Sequence, residues 1–239
     1  MNSDKTILAI DTSLNACSVA VSYDNKIYTL FKLTPKKHEK YIIKMINNVL
    51  KLAKIHLKKI DFIACTIGPG SFTGIRIGIS IAQTLSMIHE IPLLSFSTFQ
   101  VLSEQSWIKY HVFRTIIAIK LSKNSFLWGK YCRNKHGLWI GAHTEKYFNN
   151  IKKIPQLIKN CKGIWAAIGT IWKHYIFQKK SMKLLNTNIT TPQAKYIIFC
   201  ARSYLKNIYI IKLHVYILSI YLIFRSPFFI YKILSFIIF

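Results

Sequence analysis

Eleven residues at positions 68–78, GPGSFTGIRIG, constrain the fold of this chain more than any other stretch. Four glycines and a proline make a turn that opens directly into an apolar, helix-like pattern from Ile75 to Ile88. Before the turn, Phe62 to Ile67 has the composition of a short buried strand. We therefore predict a strand, a glycine-rich turn and a helix N-terminus, a unit whose free backbone N–H groups can face an anion or a carbonyl.

The glycine-rich turn does not match the common phosphate-binding motifs. No Gly-Lys-Ser or Gly-Lys-Thr closes it, as a Walker A loop requires, and it is not a GxGxxG turn after a first strand. By spacing alone, phosphate binding and tight packing without a ligand both stay open, with packing favoured.

The rest of the chain predicts an α/β fold. Strands followed by alternating helices and strands indicate one layer with antiparallel strands first and parallel strands later. The predicted strands are 6–10, 16–23, 27–33, 62–67, 92–95, 114–120, 125–132 and 164–169, and the predicted helices are 41–53, 72–88, 99–107 and 193–205. After Ile208, Lys212 and Arg225 divide an apolar stretch into runs shorter than the ~20 residues of a membrane span. No membrane segment is expected.

Groups that carry catalysis or bind metals are scarce in this sequence. No two of the eight histidines stand three or four residues apart on a predicted helix, the spacing of a helix-borne metal pair. Of the eight acidic residues, only Asp11 lies in a motif, Asp11-Thr12-Ser13, next to the first strand. We expect neither a metal nor a cofactor. Asp, Thr and Ser also cap and close turns by side-chain hydrogen bonds, which is the simpler interpretation of the motif.

The five cysteines form no CxxC pair, and their odd number favours reduced thiols in a cytoplasmic protein. Cys17 and Cys65 fall inside predicted strands, where buried and inert thiols are expected. Nucleophilic catalysis by serine is not indicated, because no GxSxG motif occurs.

The net charge of +26 favours an anionic partner such as nucleic acid. However, 29 of the 34 basic residues are Lys, and Ile, Asn, Tyr and Phe are also abundant. These residues share AT-rich codons, so mutational bias explains the composition better than selection for a basic surface. A basic RNA-binding module would interleave aromatic and basic side chains on one face, whereas the lysines here are scattered along the sequence.

Small residues recur every fourth position along the predicted helix 72–88, at Gly74, Gly78, Ala82 and Ser86. A glycine inside a helix costs ~1 kcal/mol relative to alanine, so Gly78 needs a structural reason. Such a stripe permits close approach of another segment. That segment belongs either to this chain or to a partner protein.

Two segments identify a family. GPGSFTGIRIG and the opening ILAIDTSLNACSVAVS, residues 7–22, closely resemble the bacterial TsaB family, also called YeaZ. The resemblance runs well from Thr6 to Thr98 and is patchy from there to Leu222. It implies an actin-like (ASKHA, ribonuclease-H-like) α/β fold of two related lobes, the second reduced. The lobes would span residues 1–108 and 109–222, followed by an apolar tail at 223–239.

The resemblance also implies a function. The family members are non-catalytic subunits needed to form threonylcarbamoyladenosine (t6A) next to the anticodon of tRNA. They bind and activate the transferase TsaD together with the ATPase TsaE, and they meet tRNA only through that complex. The helix-borne His pair of TsaD is missing here. A homodimer of the isolated chain is a further expectation. The alternative is a degenerate actin-like ATPase or peptidase-like enzyme acting alone.

The resemblance assigns two sets of residues. One is a relic of the superfamily's nucleotide loops, comprising Asp11, Thr12, Ser13, Gly68, Gly70 and Ser71. The other is a partner interface, comprising Gly74, Gly78, Ala82, Tyr41 and Met45.

The chain departs from the family in two places. Where relatives carry an acidic Asp-Ala-Arg-like segment, this chain has Lys120 for the acid and Ser122 for the Arg. The residues after Leu222 resemble nothing in the family, which predicts a frameshifted or eroded end.

Overall fold

A computed structural model of the chain describes residues 5–34, 37–174 and 182–208, which form two α/β lobes. The first lobe contains, in chain order, β1 (Ile7–Asp11), β2 (Ala16–Tyr23), β3 (Lys26–Leu33), α1 (His38–Ala53), β4 (Phe62–Thr66), α2 (Phe72–His89), β5 (Leu93–Phe96) and α3 (Thr98–Tyr110). The second contains β6 (Arg114–Lys120), β7 (Phe126–Arg133), β8 (Trp139–Ile140), β9 (Lys146–Phe148), α4 (Ile154–Leu157), β10 (Gly163–Ile168) and β11 (Met182–Asn186), and α5 (Ala194–Ile208) follows.

The two sheets share one strand order. The first sheet runs β3-β2-β1-β4-β5, and the second runs β8-β7-β6-β10-β11, with β9 also paired to β7. In chain order, the first three strands of each sheet are paired as antiparallel neighbours. The two strands that complete the order, β4 and β5 or β10 and β11, run parallel to the first strand of their sheet. The second lobe therefore repeats the topology of the first, as predicted. It is also reduced, since α4 has 4 residues whereas α1 has 16 and α2 has 18.

Two helix layers enclose the first sheet. On one face, α1 buries Ile42, Ile46 and Val49 against strand residues that include Leu8 and Ile10. The spacing of these helical residues, four and three apart, gives the apolar stripe of an amphipathic helix. The opposite face of the sheet packs against α5.

α5 qualifies the predicted division of the chain. Its residues fall within the range 109–222 assigned to the second lobe, yet Ile197 and Ala201 pack with Ile7 and Ala9 of the first sheet. α3 lies between the lobes, because Phe99 and Leu102 join a core with Ile117 and Tyr131 of the second sheet. The chain thus returns to its first lobe after completing the second sheet.

Most predicted elements appear with small differences in their bounds. β2 and β6 have the predicted bounds, whereas α1 begins at His38 rather than at residue 41, and β1 extends to Asp11. β8, β9, β11 and α4 were not predicted; they have two to five residues, too few for a periodic pattern. The predicted tail at 223–239 lies outside the described residues. Within the described ranges, none of the helices has the length and apolarity that crossing a membrane requires.

Candidate functional site

The carboxyl group of Asp11 is fully buried where β1 gives way to the turn before β2. Its Oδ1 accepts hydrogen bonds from the Ser13 hydroxyl at 2.7 Å and from the Thr66 hydroxyl at 2.6 Å. The Ser13 amide donates to the same oxygen at 3.3 Å. The second oxygen, Oδ2, is buried and has no hydrogen-bond partner among the described residues. The motif therefore holds a carboxyl group that is only half satisfied.

Burial determines the charge state of this group. Desolvation raises the pKa of Asp11 to about 6, although the hydrogen bonds from Ser13 and Thr66 oppose the shift. The neighbouring Cys65 thiol is also buried, and desolvation with the nearby Asp11 raises its pKa to about 12. The thiol stays protonated at neutral pH. The predicted burial of Cys65 is thus confirmed, and the predicted inertness of its thiol stays a prediction.

The glycine loop after β4 contacts the Asp11 turn directly. The Ser71 amide donates to the Ser13 carbonyl at 2.7 Å, and the Thr12 hydroxyl donates to the Gly74 carbonyl at 2.6 Å. On the other side of the loop, the Thr98 amide donates to the Gly68 carbonyl at 2.7 Å. Of the backbone N–H groups that could face a phosphate here, the Ser71 amide is thus bonded to the chain itself, and the Gly74 amide donates to the Ser71 hydroxyl at 3.3 Å. The two parts of the predicted nucleotide-loop relic do come together, but they bind each other.

The small side chains of α2 permit this close approach. A Cβ on Gly74 would overlap the Thr12 carbonyl oxygen, and one on Gly78 would overlap the Thr12 hydroxyl. Gly70 is similarly close to the Ser13 carbonyl. The reason for a glycine in the middle of the helix is therefore the turn after β1. The intramolecular alternative for the stripe of small residues accounts for Gly74 and Gly78.

The predicted interface residues divide by exposure. Gly74, Gly78 and Ala82 are buried on the inner side of α2, and Met45 is buried on α1. Tyr41 is half-buried and lies under the Lys32 ammonium, which is 3.8 Å from the ring centre. Direct contact with a partner would therefore come from other residues of these helices. Phe72, Met87 and Ile88 are each about two-thirds or more exposed on α2, and Ile43 and Leu52 are half-exposed on α1. Whether this surface binds a partner stays a prediction.

Sequence reasoning missed Thr66 as a partner of Asp11. The pairing of the strands brings the two together: β4 lies parallel to β1 with Ile10 opposite Cys65, which places Thr66 beside Asp11. It also missed a second carboxyl group, that of the partly buried Glu145. Its Oε1 accepts hydrogen bonds from the Ser97 hydroxyl, which begins α3, and from the Tyr131 hydroxyl on β7. Desolvation raises the pKa of Glu145 to about 7. These partners are far apart in sequence, so no local pattern indicates them.

A buried cysteine and histidine meet beside the glycine loop. Cys17 Sγ lies 3.4 Å from His38 Nδ1, and the Thr34 hydroxyl donates to the same sulfur at 3.2 Å. Burial raises the pKa of Cys17 and lowers the pKa of His38. Both shifts favour the neutral forms over a thiolate–imidazolium pair, so the pair is suited to packing rather than to nucleophilic attack. Across the described ranges, no group of three or more His, Cys, Asp or Glu side chains is placed to hold a metal ion.

Known proteins share both the sequence and the fold. The chain is 42% identical over 192 residues to "tRNA threonylcarbamoyladenosine biosynthesis protein TsaB" of Buchnera aphidicola subsp. Schizaphis graminum, covering 80% of this chain and 90% of that protein. It is 32% identical to the protein of the same name from Escherichia coli K12, covering 79% and 82%. The solved structure of YeaZ from Pseudomonas aeruginosa superposes with a TM-score of 0.69 at 26% identity, covering 83% of this chain and 91% of that one.

One family model matches a smaller part of the chain. Residues 32–122 are similar to the family described as TsaD, tRNA N6-adenosine threonylcarbamoyltransferase. The match includes α1, the glycine loop and α2 and ends just after β6. Together with the repeated sheet topology and the YeaZ superposition, it confirms the predicted actin-like fold.

Proposed function

The chain belongs to the TsaB family, and from this premise we propose that it is a non-catalytic subunit of the machinery that forms t6A in tRNA. It would bind a TsaD-like transferase in the cytoplasm and hold it active, with a TsaE-like ATPase joining the complex. The threonylcarbamoyl group would pass from its adenylate to the adenosine next to the anticodon of tRNAs that read codons beginning with A. The observation that carries this proposal is the similarity to TsaB over 90% of the relative's length.

The geometry of the Asp11 turn supports a non-catalytic role. An ATPase of this fold needs a carboxylate and free backbone amides facing the nucleotide's phosphates and metal. Here Asp11 is buried with a raised pKa, and the Ser71 amide is bonded to Ser13. The nucleotide-loop motif therefore acts as a structural clasp between β1 and α2.

The exposed side of α1 and α2 supports a role in binding. Large apolar side chains such as Ile43, Phe72, Met87 and Ile88 are exposed on these two helices. Exposed apolar surface of this kind marks protein–protein contacts. The buried residues Gly74, Gly78 and Ala82 would contribute indirectly, because they set how closely α2 lies on the sheet.

Reconstitution tests the proposal. Purified transferase, ATPase, ATP, pre-formed threonylcarbamoyl adenylate and an unmodified tRNA transcript are combined with and without this chain, and t6A is measured by nucleoside mass spectrometry. We expect t6A to form only when the chain is present. Equal t6A in its absence contradicts the proposal, as does ATP hydrolysis by the chain alone that Asp11→Ala abolishes.

A matched pair of variants tests the binding surface. Ile88→Glu places a charge at an exposed position of α2 (68% exposed), and Ile164→Glu places one at an exposed position of β10 (54% exposed). Neither position is in the core, so both variants should fold. We expect Ile88→Glu to lose co-purification with the transferase and Ile164→Glu to keep it. Equal co-purification of both variants with the transferase would show that the interface does not lie on α2.

A further inference from the structure

Basic and acidic residues are distributed unequally between the two lobes. Residues 1–110 contain 13 basic residues (Lys and Arg) and 7 acidic residues (Asp and Glu). Residues 111–193 contain 15 basic residues and 1 acidic residue. Mutational bias toward AT-rich codons acts on both parts of one gene alike, so it does not explain this difference. The single acidic residue of the second lobe is Glu145, and its carboxyl group points inward to Ser97 and Tyr131. The described surface of that lobe therefore carries no exposed carboxylate to offset its lysines.

Several of these lysines border the row of paired residues at one end of the second sheet. Lys120 pairs in register with Phe126, and the Phe126 ring stacks on the Phe148 ring with centres 5.3 Å apart. The Lys153 ammonium lies 5.7 Å from the centre of the Phe148 ring. Lys120 is thus the strand neighbour of one ring of this pair and Lys153 lies near the other, although the two lysines are 33 positions apart. Lys123 in the β6–β7 turn and Lys152 beside Lys153 are also exposed. We call these four residues the basic end of the second lobe.

We propose that the basic end of the second lobe (Lys120, Lys123, Lys152 and Lys153) binds the phosphate backbone of tRNA directly. This inference rests on the proposed function, which brings tRNA to the complex that contains this chain. Exposed ammonium groups neutralise phosphates without reading bases, so the contact would position the RNA rather than select its sequence. Lys120 stands where the family carries an acidic residue, so this surface is more basic here than that pattern provides.

Charge reversal on each lobe distinguishes tRNA binding by a local surface from attraction of tRNA by the net charge of the whole chain. The full chain carrying Lys120→Glu, Lys152→Glu and Lys153→Glu is compared with a control carrying Lys26→Glu, Lys58→Glu and Lys59→Glu. The control makes the same change of charge at exposed positions of the first lobe. Binding to a tRNA transcript that reads codons beginning with A is followed by fluorescence anisotropy between about 50 and 200 mM salt, a range in which phosphate contacts weaken steeply.

We expect the second-lobe variant to bind the transcript at least about tenfold more weakly than the wild type at the lower salt concentration. The slope of log affinity against log salt should fall by about three, near one per lysine lost. The control should stay within about twofold. Equal weakening of both variants overturns the proposal, because a diffuse field would then account for binding. No measurable binding by the wild type also overturns it, as does preferential, variant-sensitive binding to anionic lipid vesicles instead of tRNA.

The t6A assay distinguishes failure of this inference from failure of the proposed function. Suppose that the second-lobe variant pairs with the transferase and that its t6A formation depends on tRNA concentration as in the wild type. The basic end then does not bind tRNA, and the proposed function stands. If the wild type binds tRNA through the basic end but does not pair with the transferase, the surface stands and the function is wrong. If both the surface and the proposed function are right, the second-lobe variant still pairs with the transferase but needs a higher tRNA concentration than the wild type to form t6A.

Discussion

The first and second sheets have the same strand order but use the turn after their first strand in opposite ways. In the first lobe the turn at Thr12 and Ser13 is buried and bonded to the glycine loop. In the second lobe the corresponding turn, from Lys120 to Asn124, is exposed. The segments that follow the fourth strand differ as well. After β4 comes the 18-residue α2, whereas after β10 the chain forms a 3-10 turn at Thr170–His174.

These differences have one physical source. A turn becomes buried only if another segment covers it and bonds its polar groups, since an unbonded buried polar group is costly. α2 supplies that cover in the first lobe, with glycines where the turn approaches. Without an equivalent α-helix at Thr170–His174, the second turn faces solvent and can carry lysines. A shared topology therefore leaves one copy free to become a structural clasp and the other free to present charge.

Each lobe contributes one carboxyl group with a raised pKa, the buried Asp11 and the partly buried Glu145, and the larger shift belongs to Glu145. Its pKa in the folded chain is about 7, above its usual value of 4.5. The folded protein therefore holds the proton more tightly, and stability falls as the pH rises from about 4.5 to about 7. We expect Glu145→Gln to remove about 3 kcal/mol of this pH dependence, at 1.36 kcal/mol per pKa unit.

Urea unfolding of the wild type and Glu145→Gln across pH 4–8 measures the effect. Glu39→Gln is the control, because Glu39 is exposed on the first turn of α1. Parallel curves for the wild type and Glu145→Gln would show that the Glu145 carboxyl group is not protonated in the folded chain.

The Asp11 carboxyl group allows the same test of pH-dependent stability in the first lobe, over a lower pH range. Its folded-state pKa of about 6 lies above the usual 3.8, so its contribution to stability is lost as the pH rises from about 4 to about 6. Asp11→Asn keeps an acceptor for Ser13 and Thr66 and removes the charge. We expect it to flatten that part of the curve by about 3 kcal/mol. A flattening between pH 6 and 7 instead would assign the titration to another group.

The close contact of α2 with the first turn predicts unequal costs for two alanine substitutions. Gly74→Ala meets the Thr12 carbonyl, so the backbone must move, and we expect a loss of about 2–3 kcal/mol. Gly78→Ala meets the Thr12 hydroxyl, which must give up its hydrogen bond to the Gly74 carbonyl to rotate away, whereas alanine restores ~1 kcal/mol of helix propensity, so we expect a smaller loss of about 1 kcal/mol or less. Chemical denaturation of both variants measures the difference.

A double variant checks the cause. Thr12→Ala should rescue Gly78→Ala, because it removes the overlapping hydroxyl, and should not rescue Gly74→Ala. Rescue of both, or of neither, would contradict the assigned contacts.

The smallest expected difference in stability is between two serine-to-alanine variants, one in the turn after β1 and one in the turn after β6. Ser13→Ala removes the 2.7 Å hydrogen bond from the Ser13 hydroxyl to the buried Asp11, which should cost about 1–2 kcal/mol. Ser122→Ala removes a 2.7 Å hydroxyl–hydroxyl contact with Ser125 from an exposed turn and should cost about 0.5 kcal/mol or less. Thermal melts of the two variants give the comparison. Equal costs would mean that the two turns do not differ in their contribution to stability.

Local patterns in the sequence determined the elements of the first lobe and the family. GPGSFTGIRIG indicated a strand, a turn and a helix, and β4 and α2 lie there within a residue of their predicted bounds. A run of small and apolar residues was enough for β2, whose bounds were predicted correctly and which is buried on both faces. Such patterns succeed because the period of side-chain burial is written into neighbouring residues.

Only the tertiary structure decided which groups meet. The bonding of Ser71 to Ser13, the burial of Asp11, the return of α5 to the first sheet and the grouping of Lys120 with Lys153 all join residues far apart in sequence. The lysines looked scattered along the chain because their proximity arises from sheet pairing, which has no local period. Desolvation likewise depends on everything packed around a group, so the raised pKa values of Asp11 and Glu145 had no signal in the sequence.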